Sequence, residues 1–243
     1  MADASLAVTW LGHATILFES PKGRRVLIDP WLNNPSCPAA SKDVGHIDLV
    51  LITHGHSDHI EDAPAVAKNT GATVIGNFEV CQWLGRQGVE KVSPMNKGGS
   101  QDHDGIRISM VHAVHSSSYI EQKMHWRIVY LGEAAGYVVR FENGLSVYCA
   151  GDTALFGDMA LIRELYAPTV AFLPIGDLFT MGPQAAARAV DLLGVRQVMP
   201  IHYGTFPALT GTVGEFRSLV EPKGVRVVEL TPGARQEIHA ADA

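Results

Sequence analysis

Short apolar runs separated by turn-forming residues dominate the first third of the chain. Strands are expected there at 6–10, 15–18, 26–28, 49–52 and 73–75, with Pro21-Lys22-Gly23 and Asn33-Asn34-Pro35 as punctuation. Further apolar runs predict strands at 106–111, 137–141, 145–150, 170–173, 197–201 and 225–230, and Glu142-Asn143-Gly144 reads as a hairpin turn. Helical patterns fall between them, near 62–69, 79–87, 154–165, 183–193 and 213–220. In the segment from Pro183, Ala186, Val190 and Leu193 recur at spacings of four and three, as one buried face requires, and Pro183 suits a first helical turn. Many strands in each half with helices interspersed predict two sheets packed face to face and covered by helices. No repeat, low-complexity tract or linker divides the chain, so 1–243 is read as one domain. The segment 116–135, with Tyr119, Trp126 and Tyr130, is the one excursion, either a flap over a site or a long loop packed on the surface.

Composition narrows the class. A chain of 243 residues, 47% hydrophobic and 18% charged, can bury a large core. The net charge of −6, with no basic stretch longer than Arg24-Arg25, disfavours nucleic acid as the main partner. Cys37, Cys81 and Cys149 are odd in number and widely spaced, which fits a reducing compartment better than a disulfide framework. No segment has the layout of a signal peptide, and no apolar span approaches the roughly 20 residues of a membrane helix. A cytoplasmic protein that spans no membrane is expected.

The chemistry is concentrated after the run Leu49-Val50-Leu51-Ile52, where the chain reads His54-Gly55-His56-Ser57-Asp58-His59. Side chains two apart in extended backbone point the same way, so His54 and His56 can converge on one cation. After the turn, Asp58 and His59 can reach a second. About seven protein ligands serve a metal pair, so the rest must come from other strand ends. Three strand ends qualify: Val111-His112-Ala113-Val114-His115, Cys149-Ala150-Gly151-Asp152 and Pro200-Ile201-His202. Singly each is weak; together they put a His or Asp at the end of every strand in question.

These motifs resemble the metallo-β-lactamase superfamily. The match sharpens with Trp10-Leu11-Gly12-His13, Leu27-Ile28-Asp29-Pro30, His115-Ser116-Ser117-Ser118, Gly151-Asp152-Thr153, Thr180-Met181-Gly182-Pro183 and His202-Tyr203-Gly204-Thr205-Phe206-Pro207. Those blocks, over roughly 8–220, are similar to the predicted metal-dependent hydrolases related to ascorbate-6-phosphate lactonase. The resemblance implies an α+β four-layer αββα sandwich of two mixed sheets. It also implies a first metal on His54, His56 and His115, a second on Asp58, His59 and His202, and Asp152 bridging both. His115 is preferred to His112 because it precedes the triple serine. Asp152 is preferred to Asp158, which begins or caps a helix. Two positions depart from the pattern: Leu178 and Gly204 stand where Asn is usual. Neither is a ligand, but a lost amide can alter what is recognised.

Such a centre implies a hydrolase. Two divalent cations about 3.5–4 Å apart lower the pKa of a bridging water and give a hydroxide nucleophile. Zn²⁺ suits the histidine-rich set and Mn²⁺ is its rival. Asp58 could also orient the nucleophile, and His13, after a tight turn, faces the pocket as proton donor or substrate contact or else makes a structural hydrogen bond. Asp29 either holds a ligand histidine or caps a turn, and Asp177 and Thr180 either help bind an anion or cap the following helix. The serines read as loop hydrogen-bonders and Cys149 as a buried inert thiol. The pocket keeps about +1 charge, so the expected partner is a small anionic ester, lactone or phosphodiester. An RNA-processing nuclease, a diiron redox protein and a metal-free binding protein are less favoured alternatives. Trp31 and Phe206 belong either to a pocket wall or to a contact between copies of the chain.

Overall fold

The computed structural model describes residues 5–122 and 125–239. In chain order the first strands are β1 (Leu6–Trp10), β2 (Ile16–Glu19), β3 (Arg25–Ile28), β4 (Leu49–Leu51), β5 (Thr73–Asn77) and β6 (Val92–Met95). They are followed by β7 (Ser100–His103), β8 (Ile106–His112), β9 (Ser118–Glu121), β10 (Arg127–Tyr130), β11 (Ala135–Arg140) and β12 (Ser146–Cys149). The last are β13 (Val170–Pro174), β14 (Gln197–Ile201), β15 (Arg226–Val227) and β16 (Arg235–Ile238). One seven-stranded sheet has the order β16-β1-β2-β3-β4-β5-β6 and the other β15-β14-β13-β12-β11-β8-β7, while β9 and β10 form a separate hairpin. The helices are α1 (Ser57–Ile60), α2 (Ala63–Thr70), α3 (Phe78–Arg86), α4 (Met159–Tyr166), α5 (Pro183–Leu193) and α6 (Val213–Val220).

The four layers follow from strand alternation. Successive side chains leave a strand on opposite faces, and here both faces are apolar. Val8, Phe18, Ile28 and Leu51 of the first sheet meet Ile108, Tyr137, Val147 and Met199 of the second in one core between the sheets. The alternate residues Leu17, Leu27, Val50 and Val74 pack under α2 and α3 with Val66, Val80 and Leu84. Likewise Tyr148, Ala171 and Val198 face α4, α5 and α6 through Ile162, Val190 and Phe216. A strand covered on both sides reads as an unbroken apolar run, which is why the central strands were legible. The overlooked β16, β6 and β7 are all sheet edges. β7 reads SQDH, and β16 is mostly polar as well. Edge strands need little burial, so they leave no apolar signature. The helix expected from 154 starts at Met159, and Ala154 instead donates its N–H to the Val114 carbonyl (2.9–3.0 Å being usual; here 3.0 Å).

Topology gathers the candidate residues. In the first sheet β1–β2 and β2–β3 pair antiparallel and β3–β4 parallel, so β1, β3 and β4 run in the same direction. In the second, β8–β11 and β11–β12 pair antiparallel and β12, β13 and β14 parallel, so β8, β12 and β14 share a direction too. The turns leaving β1, β3, β4, β8, β12 and β14 carry His13, Asp29, His54–His59, His115, Asp152 and His202. The His202 N–H donates to the His13 carbonyl at 2.9 Å and the Ala135 N–H to the Thr53 carbonyl at 3.0 Å, joining the sheets at this edge. No described helix is long and apolar enough to cross a membrane.

Candidate metal centre

Asp29 organises the centre from beneath. Its Oδ1 accepts the Thr53 N–H at 2.8 Å, and its Oδ2 accepts the Thr53 hydroxyl at 2.6 Å and His59 Nδ1–H at 2.8 Å. The Thr53 oxygen, with its own proton given to Asp29, accepts His54 Nδ1–H at 3.0 Å. One buried carboxylate therefore fixes the tautomers of two histidines and turns both Nε2 lone pairs inward. Of the two readings of Asp29, the structure shows the hold on a histidine. Ser116 Oγ lies 3.3 Å from His56 Nε2, leaving His56 Nδ1 to face the same centre.

The inward atoms form two groups. His54 Nε2 is 3.0 Å and His115 Nε2 3.3 Å from His56 Nδ1. In the second group, His202 Nε2 is 3.9 Å from Asp58 Oδ2. Asp152 Oδ2 lies between the two, at 3.9 Å from His54, 3.6 Å from His115, 3.3 Å from His59 and 3.1 Å from His202, all measured to Nε2. All seven candidate ligands thus converge. His112 does not; it is exposed, beside Lys97 Nζ at 3.2 Å. Asp158 occupies the N-cap position of α4.

These residues fit a cation pair. Donors around a tetrahedral cation with bonds of about 2.0–2.1 Å lie about 3.3 Å apart, close to the 3.0 and 3.3 Å within the first group and to the 3.3 and 3.1 Å from Asp152 to His59 and His202. His59 Nε2, His202 Nε2 and Asp152 Oδ1 are buried without a hydrogen-bond partner, an arrangement that costs free energy unless something positive sits among them. The two groups differ in acid–base balance. Burial opposes charge on His59, yet Asp152 and Asp29 on either side hold its pKa well above the usual histidine value. Burial and the neighbouring imidazoles push His54 well below it.

His13 lies behind Asp58. It is fully buried, with Nε2 at 3.0 Å from Asp58 Oδ2 and Nδ1 at 3.0 Å from Thr205 Oγ1. Burial, opposed by Asp58, pushes its pKa down to about 4; the neutral ring donates to Asp58 and accepts from Thr205. Both ring nitrogens have a partner, one of them Asp58, and the position of His13 also groups it with the donors of the second set. Thr53 and Thr205 went without a role in the sequence reading, since neither threonine carries a spacing signal. Asp177 and Thr180 do not cap α5, whose N-cap is Gly182. Ser117 accepts the Gly55 N–H at 3.1 Å and donates to the Leu131 carbonyl at 3.0 Å, binding the metal loop to the base of the β9–β10 hairpin. Cys149 is buried and burial raises its pKa well above the ordinary thiol value. Trp31 is a cleft wall, with its ring 5.2 Å from His13 and 5.8 Å from Phe206.

Gly151 is required by the packing around Thr53. Its φ is +61°, and a Cβ there would lie 2.8 Å from Thr53 Cβ and 2.9 Å from Thr53 Oγ1. Gly151→Ala is expected to cost about 2–4 kcal/mol of stability, from the left-handed backbone and overpacking together. Urea unfolding of the metal-free proteins measures it, and an unchanged midpoint would show that the turn has room to spare.

A sandwich of this layering with paired His/Asp donor groups at one sheet edge defines a class, the metal-dependent hydrolases of β-lactamase fold. The sequence model of the Beta-lactamase superfamily domain matches residues 24–203. A UPF0173 metal-dependent hydrolase of Koribacter versatilis is 48% identical over 229 residues, 94% of this chain and 96% of the relative. One from Methanopyrus kandleri is 48% identical over 234 residues, 96% and 100% of the two chains. The solved structure of a metallo hydrolase from the hyperthermophilic archaeon Ignicoccus hospitalis superposes with a TM-score of 0.86 at 35% identity, covering 97% of this chain and 99% of the other. The chain belongs to the UPF0173 metal-dependent hydrolase family of the beta-lactamase superfamily.

Proposed function

We propose that this chain hydrolyses a small anionic ester, lactone or phosphodiester at a centre of two divalent cations. The observation that carries the reading is the pair of donor groups meeting at Asp152 Oδ2, with His59 and His202 3.3 and 3.1 Å away on one side and His115 3.6 Å away on the other. His54, His56 and His115 would hold one ion, Asp58, His59 and His202 the other, and Asp152 both. The imidazole-rich set suits Zn²⁺, with Mn²⁺ the rival. When bound, the ions would supply an activated water near neutral pH and polarise the reacting oxygen of the substrate.

The chain's own residues do the positioning. Asp29 and Thr53 keep His59 and His54 turned inward. His13 steadies Asp58, whose side chain keeps 28% of its surface open; from there it can accept a hydrogen bond from an attacking water. Two double charges less Asp58, Asp152 and a hydroxide leave about +1 in the pocket, which draws in a carboxylate or phosphate despite the acidic chain. Kinship with ascorbate-6-phosphate lactonase belongs to the same proposal. The three free, buried cysteines support a cytoplasmic setting.

The test is hydrolysis of a panel of phosphodiesters and lactones before chelation, after it, and after metal is restored. Activity should vanish on chelation and return with Zn²⁺ or Mn²⁺, while His54→Ala does not recover. Full turnover after exhaustive chelation would remove the mechanism. Cleavage of RNA alone would replace the small substrate with a polymer.

A further inference from the structure

The open cleft beyond His56 and Asp58 has a volume of about 1000 Å³. Sites for drug-sized ligands span roughly 300–1000 Å³, so a phosphate or a bare lactone ring would leave most of this one empty. Its wall mixes polar side chains such as Gln87, Ser118 and Gln122 with aromatic ones. Trp31, Trp83 and Trp126 line it, three of the chain's 4 tryptophans, together with Tyr119; Trp10 lies in the core between the sheets. Two of these rings are fixed in place. Trp83 is buried against Tyr119, with centroids 4.7 Å apart, and the Tyr119 hydroxyl donates to Glu61 at 2.8 Å. Trp126 is different: 67% of its surface is exposed, in the turn just before the hairpin's return strand.

Charge sorts the ligands such a cleft can take. Arg127 stands opposite Glu121 in the hairpin register and pairs with it at 2.7 Å. Glu61 and Glu121 are the acids of the wall beyond Asp58, so among the described lining residues the one cation is already matched. A second phosphate or carboxylate on the substrate would gain little there and would face Glu61. An uncharged ring carries no such penalty and can make offset or edge contacts with the aromatic side chains of the wall.

We propose that the substrate joins one anionic reacting group, seated at the metal end, to an uncharged planar ring, aromatic or heteroaromatic, that lies among Trp31, Tyr119 and Trp126. The proposal rests on the metal-centre reading above and narrows its substrate class.

Calorimetric titration of the metal-loaded protein with phenylphosphonate, cyclohexylphosphonate and methylphosphonate separates the two. The three share an anion that is not hydrolysed and differ only in the attached group. Phenylphosphonate should bind about tenfold more tightly than methylphosphonate, with cyclohexylphosphonate between them. Trp126→Ala, at an exposed position, should erase the preference of phenyl over cyclohexyl and leave methylphosphonate binding unchanged. Equal affinities for phenyl- and methylphosphonate would overturn the ring site while leaving the metal centre standing. So would a phenyl preference that survives in both Trp126→Ala and Trp31→Ala. Failure of all three to bind a protein shown by elemental analysis to carry its metals would overturn the anion-binding metal end and the ring site with it.

Discussion

Asp152→Asn should lower kcat/KM by about 10³-fold or more, because it removes one charge from both halves of the centre at once. The carboxylate is buried, its Oδ2 lies within 3.9 Å of four imidazole nitrogens, and its Oδ1 has no hydrogen-bond partner. Asparagine keeps the shape and loses the anion, so the four imidazoles face one another with no negative charge between them. Elemental analysis should find fewer than two metals per chain. Two tightly bound metals in the variant, with activity near that of the parent, would show that Asp152 is a bystander.

Asp29→Ala should weaken metal binding by about 10–100-fold although Asp29 need touch no metal. It would also leave the Thr53 N–H, the Thr53 hydroxyl and His59 Nδ1 without their acceptor. Each buried group stranded in this way costs about 1–3 kcal/mol. The variant should therefore unfold at markedly lower denaturant even without metal. Burial raises the Asp29 pKa, opposed by His59 and Thr53, which share the same oxygens. Thr53→Val gives the finer measurement: it removes the hold on His54 and leaves that on His59, so one metal should weaken more than the other. Equal weakening of both would contradict the separate roles given to the two hydrogen-bond paths.

The sequence was most informative where burial and chemistry coincide. Strands such as β14 (Gln197–Ile201), buried on both faces, announce themselves as apolar runs, and the histidine or aspartate just past them marks the site edge. The hairpin β9–β10 hid because its outer face carries Ile120 and Ile128, both exposed, so no alternation separates inside from outside. Hydrogen-bond direction was out of reach as well. That His13 supports Asp58, and that Thr53 relays Asp29 to His54, depends on contacts across 45 and 24 positions that no local pattern encodes. The two positions where the resemblance led us to expect Asn both lie in the left-handed region: Leu178 and Gly204 have φ of +55° and +67°. Asn and Gly both tolerate that region, so Gly204 keeps its turn at no cost, whereas Leu178 holds the same conformation against its own side chain.

Anomalous scattering from crystals of the protein grown with Zn²⁺ or Mn²⁺ tests the twin-ion centre most directly. Two peaks are expected about 3.5–4 Å apart, one among His54, His56 and His115 and one among Asp58, His59 and His202, both within reach of Asp152. A single peak, or two that leave Asp152 untouched, would contradict it.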